Sequence, residues 1–351
     1  MQTENSVRME PRYTRPGPRP NRILIIISGF VALYLVNLWM SGELYTVNLA
    51  LKNPRLQLFG VIMTAILLEG FPFLLLGSCI SGAIEVLVPR EVLEKRLFSA
   101  NPIKAAAVGS LLGMAFPVCS CGNIPVTRRL MSKGVPVAGA VSYLLAAPII
   151  NPITLFSTIA AFPQEKTVVI GRLTLAFIIA NIAGLCLGRW KPGEILKAEA
   201  GHDLCPHEHH HHDHSGNRLG RILSHAESDF FLTGRYLIMG ASVAALFQTF
   251  IPRTAVNALA ANSLLSVFVM ELMGIAFSLC SFADAFVAST FTALPAAAKT
   301  GFMVAGPMTS LALVTLYLGT FQRKFAGRLI MITAAGVLIL ASVWALLSIG
   351  G

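Results

Sequence analysis

Charge is what this chain most lacks. Asp, Glu, Lys and Arg make up only 13% of its 351 residues, about half the usual share in a soluble domain. A water-soluble globular fold is excluded on that ground. Acids are the scarcer sign, 17 Asp and Glu against 27 Lys and Arg. In so apolar a chain the net charge of +10 reads as basic cytoplasmic loops, not as a nucleic-acid surface. Cysteine is limited to six residues, most of them inside apolar runs, which argues against a secreted disulfide framework. No Gly-x-x-x-x-Gly-Lys-Ser/Thr sequence occurs, so an ion gradient or a partner must supply the energy for any work done.

Apolar sequence is what the chain has in abundance, at 55% of residues. Nine stretches are long enough to enter or cross a bilayer: about 23–40, 57–88, 103–118, 135–162, 167–188, 235–252, 263–281, 300–320 and 328–349. They predict an all-α polytopic membrane protein, surrounded by lipid and seated in the cytoplasmic (inner) membrane. A basic tail, 1–22, precedes a first transmembrane span at 23–40. No small-x-small cleavage site follows at Ser41-Gly42-Glu43, so the span is read as retained. Arg8, Arg12, Arg15, Arg19 and Arg22 place the N-terminus in the cytosol.

The remainder contains an internal duplication, about 57–190 against 229–350. Leu112-Gly113-Met114-Ala115-Phe116-Pro117-Val118-Cys119-Ser120 aligns with Met273-Gly274-Ile275-Ala276-Phe277-Ser278-Leu279-Cys280-Ser281. Gly77 and Gly240 precede Pro89 and Pro252 at equal spacing, Pro148 matches Pro307, and Gly171-Arg172-Leu173 matches Gly327-Arg328-Leu329. On this register Asn123 faces Asp284. The basic cluster Arg128, Arg129 and Lys133 stays cytoplasmic only if 103–127 enters the membrane and returns. Each repeat then has three crossings and one re-entrant hairpin. An odd number of crossings inverts one repeat relative to the other, an arrangement found in transporters.

The centre of the pattern is Phe116-Pro117-Val118-Cys119-Ser120-Cys121-Gly122-Asn123-Ile124-Pro125. Two prolines and a glycine predict that helical geometry fails here, and extended chain would turn Cys119 and Cys121 to one face. Cys280 would join them where the hairpin tips meet. Thiolates without fixed imidazole or carboxylate partners suit soft, thiophilic species. Pro148, Asn151 and Pro152 break the fourth segment, as Pro307 and Ser310 break its counterpart, and such backbone is tolerated in a membrane only where it lines a cavity or is buried in protein. The substrate-binding set is therefore Cys119, Cys121, Cys280, Asn123, Asn151, Pro152 and Ser310. Asp284 and Glu69 are candidate proton-coupling groups, with Glu69 expected near a membrane surface and Glu271 near the outer headgroups.

Between the repeats lies a loop, 191–228, expected to be cytosolic. Cys205, His207, His209, His210, His211, His212 and His214 crowd into it, a composition that collects Zn, Cu or Ni ions. No cofactor is required, and metal ions at this loop are the exception considered.

The segments Cys-Ser-Cys-Gly-Asn-Ile-Pro (119–125), Leu-Leu-Ala-Ala-Pro-Ile-Ile-Asn-Pro (144–152) and Leu-Glu-Gly-Phe-Pro-Phe (68–73) together resemble the predicted-permease family that includes trivalent organoarsenical efflux permeases. The resemblance covers about 57–350, and the histidine-rich loop is similar to a heavy-metal exporting branch of it. It implies efflux without an ATPase domain, with Cys119, Cys121, Asn151 and Pro152 as the carried-over candidates. The expectation is a non-enzymatic permease exporting a heavy metal or metalloid, with a homo-oligomer allowed. An importer of a sulfur-containing anion, a membrane thiol oxidoreductase and a metal sensor are the alternatives.

Overall fold

Helix boundaries in this protein fall where the sequence withdraws a backbone donor or supplies a side-chain cap. The structure, a computed structural model, describes residues 54–92, 98, 101–115, 118–197, 218–250 and 263–349. The tail 1–22, the span 23–40 and the cluster from Cys205 to His214 lie outside the described residues. Within them the fold is all helical. The first half comprises α1 (Pro54–Leu87), α2 (Pro102–Leu112), α3 (Ser120–Ser132), α4 (Val137–Ala146), α5 (Pro152–Ala161) and α6 (Lys166–Leu187). The second comprises α7 (Arg218–Phe250), α8 (Ser263–Phe277), α9 (Ala283–Ser289), α10 (Ala296–Thr309), α11 (Leu311–Thr320) and α12 (Arg323–Ile349).

Asn101 caps α2 by accepting from the Ile103 amide, with Pro102 in the first turn where its missing N–H costs nothing. Asn151 and Pro152 start α5 in the same way, and the Ser310 side chain caps α11. Among the described residues five segments are long and apolar enough to cross a membrane: α1, α6, α7, the pair α10–α11 and α12. Helices α2, α4, α5 and α8 are shorter apolar pieces of 10 to 15 residues. At ~1.5 Å per residue none of these spans a ~30 Å hydrocarbon layer alone.

Small residues set the packing, as they do where helices associate in lipid. A Cβ at Gly77 would lie 2.2 Å from the Gly122 carbonyl oxygen, so α1 and α3 touch backbone to backbone. Further along, Ser81 Oγ lies 3.2 Å from the Pro125 carbonyl oxygen and Lys133 Nζ donates to the Glu85 carbonyl. These contacts climb both helices together, so α1 and α3 run parallel. Gly109 meets Gly139 and Gly113 meets Ala147, which makes α2 parallel to α4. In the second half Gly274 packs on Phe302 and Gly306. Between the halves, α1 and α7 run antiparallel, with Gly70 on Leu237 and Gly82 on Ile222.

One continuous helix, Pro54–Leu87, carries most of the stretch 57–88, with Pro72 inside it. Three expectations are corrected. The loop expected over 191–228 ends early, because α7 begins at Arg218. Among the described residues of the motif only Val118 and Cys119 are non-helical; Pro125 sits within α3, and Cys119 is its N-cap. Arg128 and Arg129 are not solvated loop cations but are buried on α3, each at 2% exposure.

Their charge is met by Asp229 of α7, at 3.5 Å from Arg128 and 3.4 Å from Arg129. Ser81 Oγ donates to the same carboxylate at 2.6 Å, and Glu85 adds longer contacts to Arg129 and Lys133. This cluster pins one end of α3 to α1 and α7.

Two outcomes follow for stability. Gly77→Val overpacks the α1–α3 contact and should cost about 1–3 kcal/mol, whereas Gly60→Val, with nothing within 4 Å, should be neutral. Heating detergent-purified protein and reading the surviving monodisperse fraction separates the two; equal melting would disprove the tight contact. Asp229→Ala takes the shared carboxylate from two buried arginines and should cost about 3–5 kcal/mol in the same assay, which a wild-type melting curve would contradict.

Candidate functional site

Each half breaks its helices twice, and the breaks meet. Cys119, in extended conformation with φ −70° and ψ 169°, opens α3 and is followed by Ser120 and Cys121 in the first turn. In the second half the chain leaves α8 at Phe277 through Ser278, whose φ of 48° is left-handed, a strained conformation for a non-glycine residue. The Ser278 hydroxyl accepts from the Ala312 amide at 3.3 Å, and Gln248 Nε2 donates to the Phe277 carbonyl at 2.8 Å. Cys280 follows on this non-helical segment.

The three thiols line one cavity of about 40 Å³ with Glu69, Phe73, Ser278 and Ser310. A second cavity of about 30 Å³ shares Phe73, Cys119 and Cys280 and adds Asn151, Thr154 and Ser281. Each holds roughly one water, whose share of liquid volume is ~30 Å³. The site is constricted in this conformation. Cys119, Cys121 and Cys280 are free thiols. Among the described residues no three of His, Cys, Asp and Glu are grouped closely enough to hold a metal ion, so the thiols do not form a preassembled chelate.

The other sequence candidates divide. Ser310 lines the first cavity and Asn151 the second. Asn151 spends its amide on the break, donating to the Ala147 and Pro148 carbonyls at 2.9 and 3.0 Å and accepting from the Thr154 amide. Pro152 begins α5 and lines an apolar groove beside α6. Asn123 lies behind the site instead of in it. It is fully buried, and its Nδ2 donates to the Tyr143 and Leu144 carbonyls at 3.2 and 2.9 Å. Glu69 stands halfway along α1 and lines the cavity with the cysteines. Glu271 is 5% exposed, not open to headgroups, and its Oε2 has no partner.

Asp284 is not a lone acid. Arg172 of α6 donates to its Oδ2 at 2.9 Å, with both side chains almost fully buried. The sequence reading passed over Arg172 because the Gly-Arg-Leu match served only to align the repeats. A single cation inside the apolar run 167–188 was the available signal. Ser278 and Phe73 gave none, since backbone strain and cavity lining are not encoded locally.

Comparison with known proteins adds to this geometry. A Bacillus subtilis protein, UPF0718 protein YcgR, is 40% identical over 288 residues, 80% of this chain and 94% of its own. A Streptococcus mutans relative, 36% identical over 265 residues (75% of this chain, 87% of its own), carries a name describing a subunit of a two-component membrane permease complex. A Methanocaldococcus jannaschii protein, UPF0718 protein MJ0584, is 25% identical over 167 residues, 47% of this chain and 42% of its own. No solved structure matches. The sequence profile of one family, described as predicted permease, matches residues 55–346. With several apolar helices long enough to cross a membrane and a profile match that spans residues 55–346, the chain belongs to the ArsP_1 family of predicted permeases and is a multi-pass membrane protein.

Proposed function

We propose that this permease exports a thiophilic heavy metal or metalloid, of the Cu/Zn or trivalent-arsenic class, by thiol exchange and alternating access. The observation that carries the reading is the single cavity lined by Cys119, Cys121 and Cys280 together with Glu69. Soft substrates prefer sulfur, and a site that is not a rigid chelate can release what it binds. Glu69 supplies the coupling carboxylate at the cavity, and Asp284 supplies the second in its pair with Arg172.

The architecture that goes with this mechanism is two inverted repeats, α1–α6 and α7–α12, after one extra N-terminal span. Three crossings in each, α1, α4–α5 and α6, then α7, α10–α11 and α12, make the count odd. The pairs α2–α3 and α8–α9 are the re-entrant hairpins. Matching close approaches support it, Gly113 on Ala147 and Gly274 on Gly306, as do the matching caps Asn151 and Ser310. The end of α3 that carries Arg128, Arg129 and Lys133 is assigned to the cytosol, and the N-terminus and the histidine-rich loop are proposed on the same side. Cys205, His207, His209, His210, His211, His212 and His214 then gather metal on the loading side. A second component completes the assembly, as the name of the Streptococcus mutans relative suggests for that protein.

One observation favours a second reading. Helices α3 and α11 both begin at the cavity, at Ser120 and Leu311. Their amide ends carry partial positive charge, about half an elementary charge each, which suits an anion. A sulfur-containing anion relayed by the thiols is the substrate on this view.

Cells expressing the chain and challenged separately with Cu, Zn, trivalent arsenic, a trivalent organoarsenical and thiosulfate decide between them. Mass spectrometry should show a lower content of one metal or metalloid, lost in Cys119→Ser while the variant remains in the membrane. Unchanged metal content with a changed thiosulfate content selects the second reading. For coupling, Glu69→Gln in proteoliposomes should abolish proton-driven flux of that substrate yet still let it protect Cys280 from alkylation. Wild-type flux in this variant removes Glu69 from the mechanism.

A further inference from the structure

The two sides of the thiol cavity are held in different ways. Cys119 and Cys121 belong to the start of α3, a helix of 13 residues whose own hydrogen bonds fix them. Cys280 has less support. It lies on non-helical chain between the strained Ser278 and α9, a helix of only 7 residues, whose first amides return to its carbonyl. A group outside that short segment can therefore decide its position.

We propose that Arg172 is the positioning residue that fixes Cys280 opposite Cys119, a role that rests on reading the thiol cavity as the transport site. Arg172 is 1% exposed, and its guanidinium is spread across four groups. One terminal nitrogen, Nη2, donates to the Ser281 carbonyl and to Asp284 Oδ2, both at 2.9 Å. Ser281 is the residue after Cys280, and the Ala283 and Asp284 amides both return to the Cys280 carbonyl at 3.0 Å. The turn that directly follows the thiol is thus held by a single side chain.

The other terminal nitrogen, Nη1, donates to Thr158 Oγ1 at 2.9 Å and lies 3.6 Å from Met303 Sδ. Thr158 donates onward to the Thr154 carbonyl at 2.7 Å, and Thr154 Oγ1 to the Pro148 carbonyl at 2.9 Å. This leads to the Asn151 break, which lines the second cavity beside Cys119 and Cys280. A planar fork with five donors can join two directions in a way that a lysine ammonium cannot. Arg172 therefore ties the broken helix of one half to the hairpin tip of the other.

The counterpart positions lack this device. Arg328, which matches Arg172 in the repeat alignment, lies over the Trp190 ring at 5.0 Å. Asn123, which matches Asp284, holds α3 to α4 through neutral hydrogen bonds. The charged version occurs on the side whose thiol is not fixed by a helix. A buried ion pair is poor evidence for stability, because apolar residues of similar volume commonly replace it without loss. Its value here is geometric.

Thiol cross-linking tests this without reference to transport. The full-length chain keeps Cys119, Cys121 and Cys280, with Cys79, Cys186 and Cys205 changed to serine. A short bifunctional methanethiosulfonate is applied, and the linked peptides are quantified by mass spectrometry. Arg172→Ala should lower the Cys119–Cys280 product about tenfold, the weight of roughly one charge-assisted hydrogen bond, and leave the Cys119–Cys121 product unchanged. Arg172→Lys should give an intermediate yield. If Arg172→Ala does not fold, Arg172→Met with Asp284→Leu leaves no stranded charge and should show the same selective loss. Parental Cys119–Cys280 yield in these variants, or an equal fall in both products, overturns the proposal. Because no flux is measured, failure of the export reading leaves this result standing on its own.

Discussion

A peptide group released from a helix inside a bilayer finds no water to replace its lost partner, and the hydrocarbon tolerates it only where protein supplies one. This chain releases its helices around Cys119, Ala147–Asn151, Ser278–Phe282 and Ser310. Each release is met by specific side chains. Asn151 and Asn123 accept the duty in the first half, taking the Ala147, Pro148, Tyr143 and Leu144 carbonyls between them. In the second, Arg172 takes the Ser281 carbonyl, Gln248 that of Phe277, and Tyr317 Oη that of Met308 at 3.1 Å. The thiol cavity exists because these groups hold four broken ends together.

Satisfying the backbone this way explains how the polar residues are distributed. Few of them face the cavity, and most work behind it. Asn123, the Thr154–Thr158 pair and the Arg172–Asp284 pair are all buried at or below 3% exposure. They form a shell that leaves the thiols, Glu69 and Ser278 as the chemistry on show. The glycine contacts serve the same end by another route. With no side chain at Gly77 and Gly122, α3 lies directly on α1, which brings its first turn, and so Cys119, alongside Glu69 and Phe73. Close approach of backbones is what makes so narrow a site possible.

Charge is arranged with equal economy. Two groups of buried ions cross between the halves, Arg128 and Arg129 with Asp229, and Arg172 with Asp284, and buried Lys299 adds a third crossing to the more exposed Glu165. The first anchors the far end of α3, the second the near end of α9. α3 and α9, which flank the thiol cavity, are therefore each tied by charge to the opposite half.

Much of this was legible in the residues. Apolar run length determined the membrane class, since only helices of that composition satisfy their own backbone in lipid. Proline, asparagine and serine at 148–152 and 307–310 marked the breaks, because a missing donor and a capping side chain act within one turn. The repeated Cys-Ser motif marked the tips. Other features depended on partners far away in sequence. Pro125 looked like a helix breaker but sits inside α3, where its neighbours Gly122 and Ser81 accommodate it. Arg128 and Arg129 read as loop cations until Asp229, 100 residues on, was folded against them. Glu69 reads as a residue near a membrane surface, and only the fold brings it to the cavity that Cys280 lines. Local chemistry by itself determined where the helices stop and which atoms are soft; only the tertiary structure decided which stops meet and which charges are paired, because those depend on contacts between halves that no stretch of sequence contains.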